Sequence, residues 1–374
     1  MKIGIDVSFL ARDSRGMGRV ARALITQLLE FSGEHYYFLM PLHEKDREGV
    51  VKLLKPFADR FEFIPVSDAD RLDLVWFPWN RVDFFPKCKR VVTIHDVAMF
   101  RFFSSNKRDN FNDRKRIREA AAAADMIVAI SEFSKSEISS FLDVAQDRIT
   151  VIHHGYDSCF GPASPERASE FLQRHTGGKP YVFFVGSPDK RKSMDTLLMA
   201  FDRLKSRSDI PHKLLMAGSR PSFLREPSFT ERFASEILRQ GSDPMRIIWG
   251  RIKHKDDIIW QGSVGDKELV RFYGLSSAFV FPSLYEGFGL PVLEAFSCAC
   301  PIVASDIPVF REVGGDAPVF FSPGNPSDLA EKLGKVLADN NLASSMRARG
   351  LKRVKNFSWK KAAESYFRLF RTME

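Results

Sequence analysis

Short runs rich in β-branched and aromatic residues alternate with amphipathic helical patterns along the whole chain, and they do so twice. In the first half KIGIDVSF, YYFLMP, FEFIPV, DLVWF, RVVTIHD, MIVAIS and ITVIHHG are strand candidates, with helical patterns such as Arg19–Phe31 and Lys107–Ala124 between them. The second half repeats the scheme with YVFFVGS, KLLMAGS, the text at Ile258–Gly262, AFVFPS, PIVAS and PVFFSP. Strands separated by helices cannot pair as hairpins, so the pattern predicts α/β units with parallel sheets. Ligands of such sheets bind where the carboxyl ends of strands lead into helices.

A chain of 374 residues suits two domains. Residues 161–180, rich in Gly, Pro, Ser and charge, read as the linker between them. The expected domains are 1–165 and 179–356, two Rossmann-like folds facing a central cleft. The apolar run at Met1–Leu10 carries Asp6 and no small-residue cleavage site, so it reads as a first strand and not as a leader. No stretch approaches the ~20 apolar residues of a membrane span. Cys88, Cys159, Cys298 and Cys300 form no CxxC pair, which fits a reducing cytoplasm. The net charge of +9 lies almost wholly beyond residue 160, since residues 1–160 hold 24 Lys and Arg against 23 Asp and Glu. A basic surface attracts nucleotides, nucleic acid or acidic lipid alike.

The sharpest chemical feature is PSLYEGFGLPVLEAF, Pro282–Phe296. An apolar strand ends at Pro282, a glycine-containing loop follows, and Pro291 suits the first turn of a helix. The backbone N–H groups of Phe288, Gly289 and Leu290 would then face an anion, and Gly287 and Gly289 would let the chain approach a diphosphate closely. Glu286 and Glu294 bracket the loop, and each carboxylate can accept hydrogen bonds from neighbouring hydroxyls. The same text also fits a helix-opening loop whose acid favours the dipole.

The spacing of Glu286 and Glu294 resembles the E-x7-E signature of glycosyltransferase family four, and the resemblance runs through almost the whole chain. RGMGRVARALITQLL, VVTIHDVAMF, IVAISEFSKSEI, RITVIHHGYD, FFVGSPDKRKSMDTLLMAF, WQGSVGDKELVRFYGLSSAFVFPS and PIVASDIPVFREVGGDAPVFFSPGNPSDLA follow in the family's order, closed by the FSW of Phe357–Trp359. The resemblance implies a retaining, metal-independent hexosyltransferase of the GT-B fold, the acceptor mostly on the first domain and the donor on the second. A last helix within 357–374 would cross back to the first domain. Carried over by position, Glu286 holds hydroxyls of the transferred sugar, Glu294 holds the ribose, and Arg191 and Lys192 neutralise the diphosphate. Gly186 is grouped with the donor, and the backbone around Val264 neighbours the base. His95 would orient the donor sugar and stabilise charge at the anomeric centre, while Asp96 holds His95 or caps a turn. Retention needs no protein nucleophile if the departing phosphate takes the acceptor's proton on the same face.

Gly16 and Gly18 in RGMGRVA form a G-x-G-x-x-A string. Alone it suggests a nicotinamide dinucleotide, yet it lies too far beyond the first strand and lacks the acid expected some twenty residues on. It reads instead as a loop that closes over phosphate or acceptor. Asp68-Ala69-Asp70 is a DxD string of the metal-binding type, read here as a loop or cap. The sequence departs from the family at Ala299, where glycine is common, at His154, where asparagine is usual, and at Lys190 and Ser193, which replace a common Pro and Asn. Met99–Arg118 mixes four Phe with seven basic residues and two acids. That composition suits an anionic membrane surface and equally a solvated helix with buried rings.

The sequence is thus expected to encode a transferase of envelope or exopolysaccharide type. It would be cytoplasmic or peripheral on the inner membrane face, use GDP-mannose or, as the alternative, a UDP-sugar, and act on a glycan or lipid-linked acceptor without a cofactor. An NAD-dependent oxidoreductase and a nucleic-acid-binding protein are the competing classes. Neither explains the paired glutamates together with the basic turn, and no RNA-binding motif accompanies the basic stretch.

Overall fold

The computed structural model describes residues 1–13, 16–31, 36–102, 107–164, 166–221, 224 and 244–374. These form two compact units. The first comprises Met1–Asp157, Glu286–Leu290 and Phe357–Glu374, and the second Ser158–Tyr285 and Pro291–Asn356.

The first unit holds strands β1 (Lys2–Asp6), β2 (Tyr36–Met40), β3 (Phe61–Phe63), β4 (Leu74–Phe77), β5 (Lys89–Ile94), β6 (Met126–Ala129) and β7 (Ile149–Val151). They pair in the order β3-β2-β1-β4-β5-β6-β7, every pair parallel. All four residues of β4 are buried, because helices cover both faces of a parallel sheet and no face is left for polar side chains. Trp76 points into one core, beneath α1 (Gly16–Glu30) and the C-terminal helix Trp359–Thr372. Its neighbours Val75 and Phe77 point into the opposite core, beneath α3 (Lys107–Ala123) and α4 (Glu132–Leu142). A short α2 (Glu44–Leu53) lies between β2 and β3. The C-terminal helix is capped by Ser358, whose side chain accepts the Lys361 N–H. Its Tyr366 hydroxyl lies 2.8 Å from Thr93 Oγ1, which accepts the Trp76 indole N–H at 2.9 Å. Burying side chains as large as Trp76 and Tyr366 stabilises the unit by roughly 1.5–3 kcal/mol each, provided their polar tips are paired as these are.

The second unit repeats the plan with β8 (Tyr181–Val185), β9 (Lys213–Ala217), β10 (Ile258–Gly262), β11 (Ala278–Phe281), β12 (Ile302–Ser305) and β13 (Val319–Phe321). Their order is β10-β9-β8-β11-β12-β13, again wholly parallel. The described helices of this half are α5 (Ala168–Thr176), α6 (Met194–Arg207), α7 (Pro244–Arg251), α8 (Asp266–Gly274), α9 (Leu290–Ser297), α10 (Pro308–Gly314), α11 (Pro326–Ala338) and α12 (Asn340–Val354), and the C-terminal helix is α13. In each sheet the chain order reverses once, between β1 and β4 and between β8 and β11. A crevice opens at such a switch point.

Two expectations need adjusting. The stretch read as a linker contains α5, whose Phe171 packs 5.1 Å from the Phe272 ring and beneath Arg271. The compact units change at Asp157–Ser158, ahead of the expected 165–179. Among the described residues no helix is long and apolar enough to cross a membrane.

Candidate functional site

In the second unit the crossover from β8 to α6 builds a cationic turn. Gly186 follows the strand, its N–H donating to Ala217 O at 3.0 Å. Asp189 then starts a short helical turn, Lys190–Lys192, by accepting the Arg191 N–H at 2.8 Å, and its other oxygen pairs with Arg191 Nε at 3.2 Å. Lys192 lies over the Phe281 ring at 5.1 Å. The loop after β11 closes on this turn, with Leu284 N–H donating to Arg191 O at 2.7 Å. Arg191 and Lys192 therefore stand at the β8/β11 switch point. Ser193, which ends the turn, has φ of 45°, a left-handed conformation. Glu294 on α9 is buried, and the Tyr273 hydroxyl donates to its Oε2 at 3.0 Å; burial beside this carboxylate pushes the Tyr273 hydroxyl well above its ordinary range. Val264 is half-buried in the loop between β10 and α8.

Glu286–Leu290 belongs by its contacts to the first unit. The Gly287 carbonyl accepts the hydroxyls of Ser131 at 2.7 Å and Ser134 at 2.9 Å, at the start of α4. A β-carbon at Gly287 would collide with the His95 carbonyl, so glycine here is a requirement of close approach. Glu286 and Gly289 are buried, Gly289 with φ of 96°, and Leu290 is half-buried against the core. The Phe288 ring is packed, with His154 at 5.2 Å and His153 and Phe357 both at 5.9 Å. Phe288 thus contributes packing as well as backbone.

His95 follows β5 and is buried. Its N–H donates to Asn80 Oδ1 at 2.7 Å, and its Nε2 lies 2.9 Å from Pro78 O. A carbonyl can only accept, so Nε2 carries the proton and a neutral His95 keeps its lone pair on Nδ1. Burial holds the imidazole below its ordinary pKa despite the Pro78 carbonyl and the charges of Asp96 and Asp13. The Asp96 carboxylate accepts the Ala98 N–H at 3.0 Å and so caps the turn that follows. His154 lies 5.6 Å from His95, ring to ring, and neither of its nitrogens has a hydrogen-bond partner among the described residues.

Gly16 opens α1, and the Gly18 N–H donates to Asp13 Oδ2 at 3.1 Å. A β-carbon on Gly18 would strike the Asp13 carbonyl. One of the N–H groups at this helix N-terminus is thus taken by a carboxylate of the chain itself. The DxD string lies in a helical turn, Val66–Arg71, where Asp70 accepts the Lys87 N–H at 2.9 Å and Asp68 pairs with Arg71 at 3.5 Å. Of the basic stretch Met99–Arg118, residues 103–106 and the side chains of 107–110 lie outside the described residues. In the remainder Arg101 pairs with Glu137 at 2.6 Å, Arg114 donates to Met99 O, and Arg114 and Arg118 lie over Phe100, while Phe111 is 69% exposed.

Three residues at these sites were not singled out as such from sequence: Asp13, Asn80 and the histidine partner His154. Asp13 and Asn80 carry no motif. Their one signal is position, since each lies a few residues beyond the end of a central strand.

Comparison with known proteins agrees with this architecture. Residues 166–353 match the family Glycosyl transferases group 1, and residues 4–158 match Glycosyltransferase Family 4. The chain is 29% identical over 273 residues to the O-antigen chain mannosyltransferase B of Escherichia coli, covering 72% of this chain and 67% of that protein. It is 27% identical over 307 residues to the serotype-specific mannosyltransferase WbdA of the same species, covering 79% of this chain but 34% of the relative. This chain therefore spans about a third of WbdA. The crystal structure of Anabaena HepE in complex with UDP and glucose superimposes with a TM-score of 0.70 over 100% of both chains at 16% identity, a likeness of fold. Two doubly wound parallel sheets, matched in order by these two family patterns, identify the chain as a glycosyltransferase of the GT-B fold that belongs to the Glycosyl transferases group 1 family.

Proposed function

We propose that this enzyme transfers a hexose from a nucleoside diphosphate to an acceptor hydroxyl with retention and without a metal ion. The observation that carries the reading is the cationic turn Lys190–Lys192 at the β8/β11 switch point, tied to the following loop by the Leu284–Arg191 hydrogen bond. A diphosphate leaving group needs its charge compensated as the glycosidic bond breaks. Two fixed cations and the N–H groups opening α9 supply that compensation where other enzymes use Mg²⁺. Glu286 accepts hydroxyls of the transferred sugar, and Glu294, oriented by Tyr273, accepts those of the ribose. Gly186 allows the diphosphate close to the turn, with Val264 near the base. His95, neutral, accepts a sugar hydroxyl through Nδ1. The bond from the anomeric carbon to the phosphate oxygen breaks, the acceptor oxygen bonds to the same face, and the acceptor's proton passes to the departing diphosphate.

The mannosyltransferase names of the Escherichia coli relatives favour mannose from GDP-mannose, with a glycan acceptor of envelope polysaccharide. A UDP-sugar is the second reading, favoured by the HepE structure with UDP and glucose. Glu286→Gln tests the reading, because it removes charge while keeping shape. Transfer is expected to fall roughly 10- to 100-fold, the worth of a charge-assisted hydrogen bond, with unchanged thermal unfolding. Full activity of that variant with the native donor would sink the assignment.

A further inference from the structure

In the second unit one imidazole reaches both ends of a loop. His175 lies in the last turn of α5, the helix found in the stretch read as a linker. Its ring is wedged between Phe171 at 4.3 Å and Phe272 at 5.0 Å, and its side chain is 10% exposed. Arg271 of α8 ties α5 down. Its guanidinium lies 4.6 Å over the Phe171 ring and donates to the Arg167 carbonyl at 3.1 Å. The His175 Nδ1 sits 3.1 Å from Gln261 Oε1, and its Nε2 sits 3.7 Å from Glu268 Oε1. Gln261 lies at the end of β10, just before the loop that leads into α8, and Glu268 stands in the first turn of α8, just after it. An amide oxygen can only accept, so Nδ1 carries a proton toward Gln261.

The strand is bent where His175 grips it. β10 pairs with β9, and the register shifts between Trp260 and Gly262, so Gln261 is the extra residue of a bulge. A bulge leaves its extra residue outside the ladder and re-aims its side chain. His175 holds that side chain from outside the sheet. Beyond the bulge the Gly262 carbonyl accepts the Gly218 N–H at 2.8 Å, which sets the start of the loop beside the carboxyl end of β9. The slot between Phe171 and Phe272 asks only for a flat ring. The two nitrogens serve the loop ends.

We infer that His175 is a positioning residue for the donor's base, holding the loop of residues 262–265 at both ends in the shape that tells one nucleobase from another. The inference rests on the transferase reading above, in which Val264 of this loop neighbours the base, and it adds what sets the choice of base.

Titration of the full chain with GDP, UDP, ADP and dTDP tests it. These ligands share a diphosphate and differ in base, so a change at the cationic turn would alter them together. The native enzyme should prefer one of them. His175→Phe keeps a ring in the slot and removes both nitrogens. It should weaken the preferred diphosphate about tenfold, the loss of one buried hydrogen bond, and leave the others within about twofold. His175→Asn, whose amide nitrogen stands in for Nδ1, should restore most of the preference. Gln261→Leu leaves α5 untouched, should reproduce the pattern of His175→Phe, and carries the test if that variant fails to fold. Equal weakening of every diphosphate, unchanged affinities, no rescue by asparagine, or no preference in the native enzyme overturns the inference. Failure of the native enzyme to bind any of them defeats the transferase reading instead.

Discussion

The crossovers β1–α1 and β8–α6 occupy the same topological place, each leaving a central strand beside its sheet's switch point, yet each uses its single acid differently. In the first, Asp13 accepts the Gly18 N–H and so takes one of the donors at the helix N-terminus. In the second, Asp189 is drawn back onto the Arg191 backbone and guanidinium, and the turn presents Arg191 and Lys192 ahead of α6. One backbone plan therefore carries two different placements of a single carboxylate. The glycine-rich text Gly16–Gly18 resembles a phosphate loop more closely than Lys190–Lys192 does, but the two differ in where the acid goes: Asp13 takes a helix N–H, and Asp189 takes the Arg191 backbone and guanidinium.

The largest expected effect breaks the second crossover. Lys192→Ala should cost roughly 100-fold in kcat/KM, since removing one fixed group facing a developing charge typically costs 2.7–4 kcal/mol at most. Steady-state kinetics with the native donor checks it, and a loss confined to the acceptor KM would contradict the role. The counterpart in the first crossover, Asp13→Asn, should leave donor affinity unchanged and lower stability by about 1 kcal/mol, the worth of a helix-terminal acid and its hydrogen bond. A urea titration read beside nucleotide binding separates the two outcomes.

Acid sensitivity should be shared by both units, since burial and the nearby Lys205 also lower the His212 imidazole in the second. Burial holds His95 below 6.5, and it holds His154, which faces the imidazoles of His95 and His153, well below. Above 6.5 both states leave these rings neutral. As pH falls through 6.5 the unfolded chain binds protons first, so stability is lost from there down to the folded pKa values, by up to about 1.4 kcal/mol per pH unit per ring. Asp6 acts in the opposite direction: burial raises its carboxyl from 3.8 to about 6, and between those values the native state takes the proton first and gains stability. His154→Asn should therefore flatten the fall in urea midpoint between neutral and mildly acid pH. An unchanged slope would remove His154 from the acid response.

The smallest effect concerns backbone strain in the second unit. Ala299 has φ of 54°, the left-handed region that explains the glycine common to the family there. Ala299→Gly should stabilise by about 0.5–1 kcal/mol, raising the melting temperature by a few degrees without altering turnover. A destabilised variant would mean that the methyl group's packing outweighs its strain.

The strands were legible in the sequence because buried parallel strands are continuous apolar runs, and β4 and β8 could hardly be read otherwise. Helix α5 was hidden by its surroundings. It is nine residues long and flanked by Gly177 and Gly178, and its burial rests mainly on Phe171 packing against α8, a tertiary contact that local composition does not carry. The paired glutamates and the basic turn stood out through spacing and resemblance. The seating of Gly287 on Ser131 and Ser134, the tie between Asn80 and His95, and the carboxylate at α1 were invisible because each joins residues remote in sequence or depends on the angle of a single side chain.

The measurement closest to the central claim is a calorimetric titration of nucleoside diphosphates and their sugars, in EDTA, against the native enzyme, Lys192→Ala and Asp13→Asn. The account predicts that one diphosphate binds the native enzyme without metal, that Lys192→Ala weakens it at least tenfold, and that Asp13→Asn leaves it unchanged. Binding that requires a divalent ion, or that weakens on altering Asp13 and not Lys192, would contradict it.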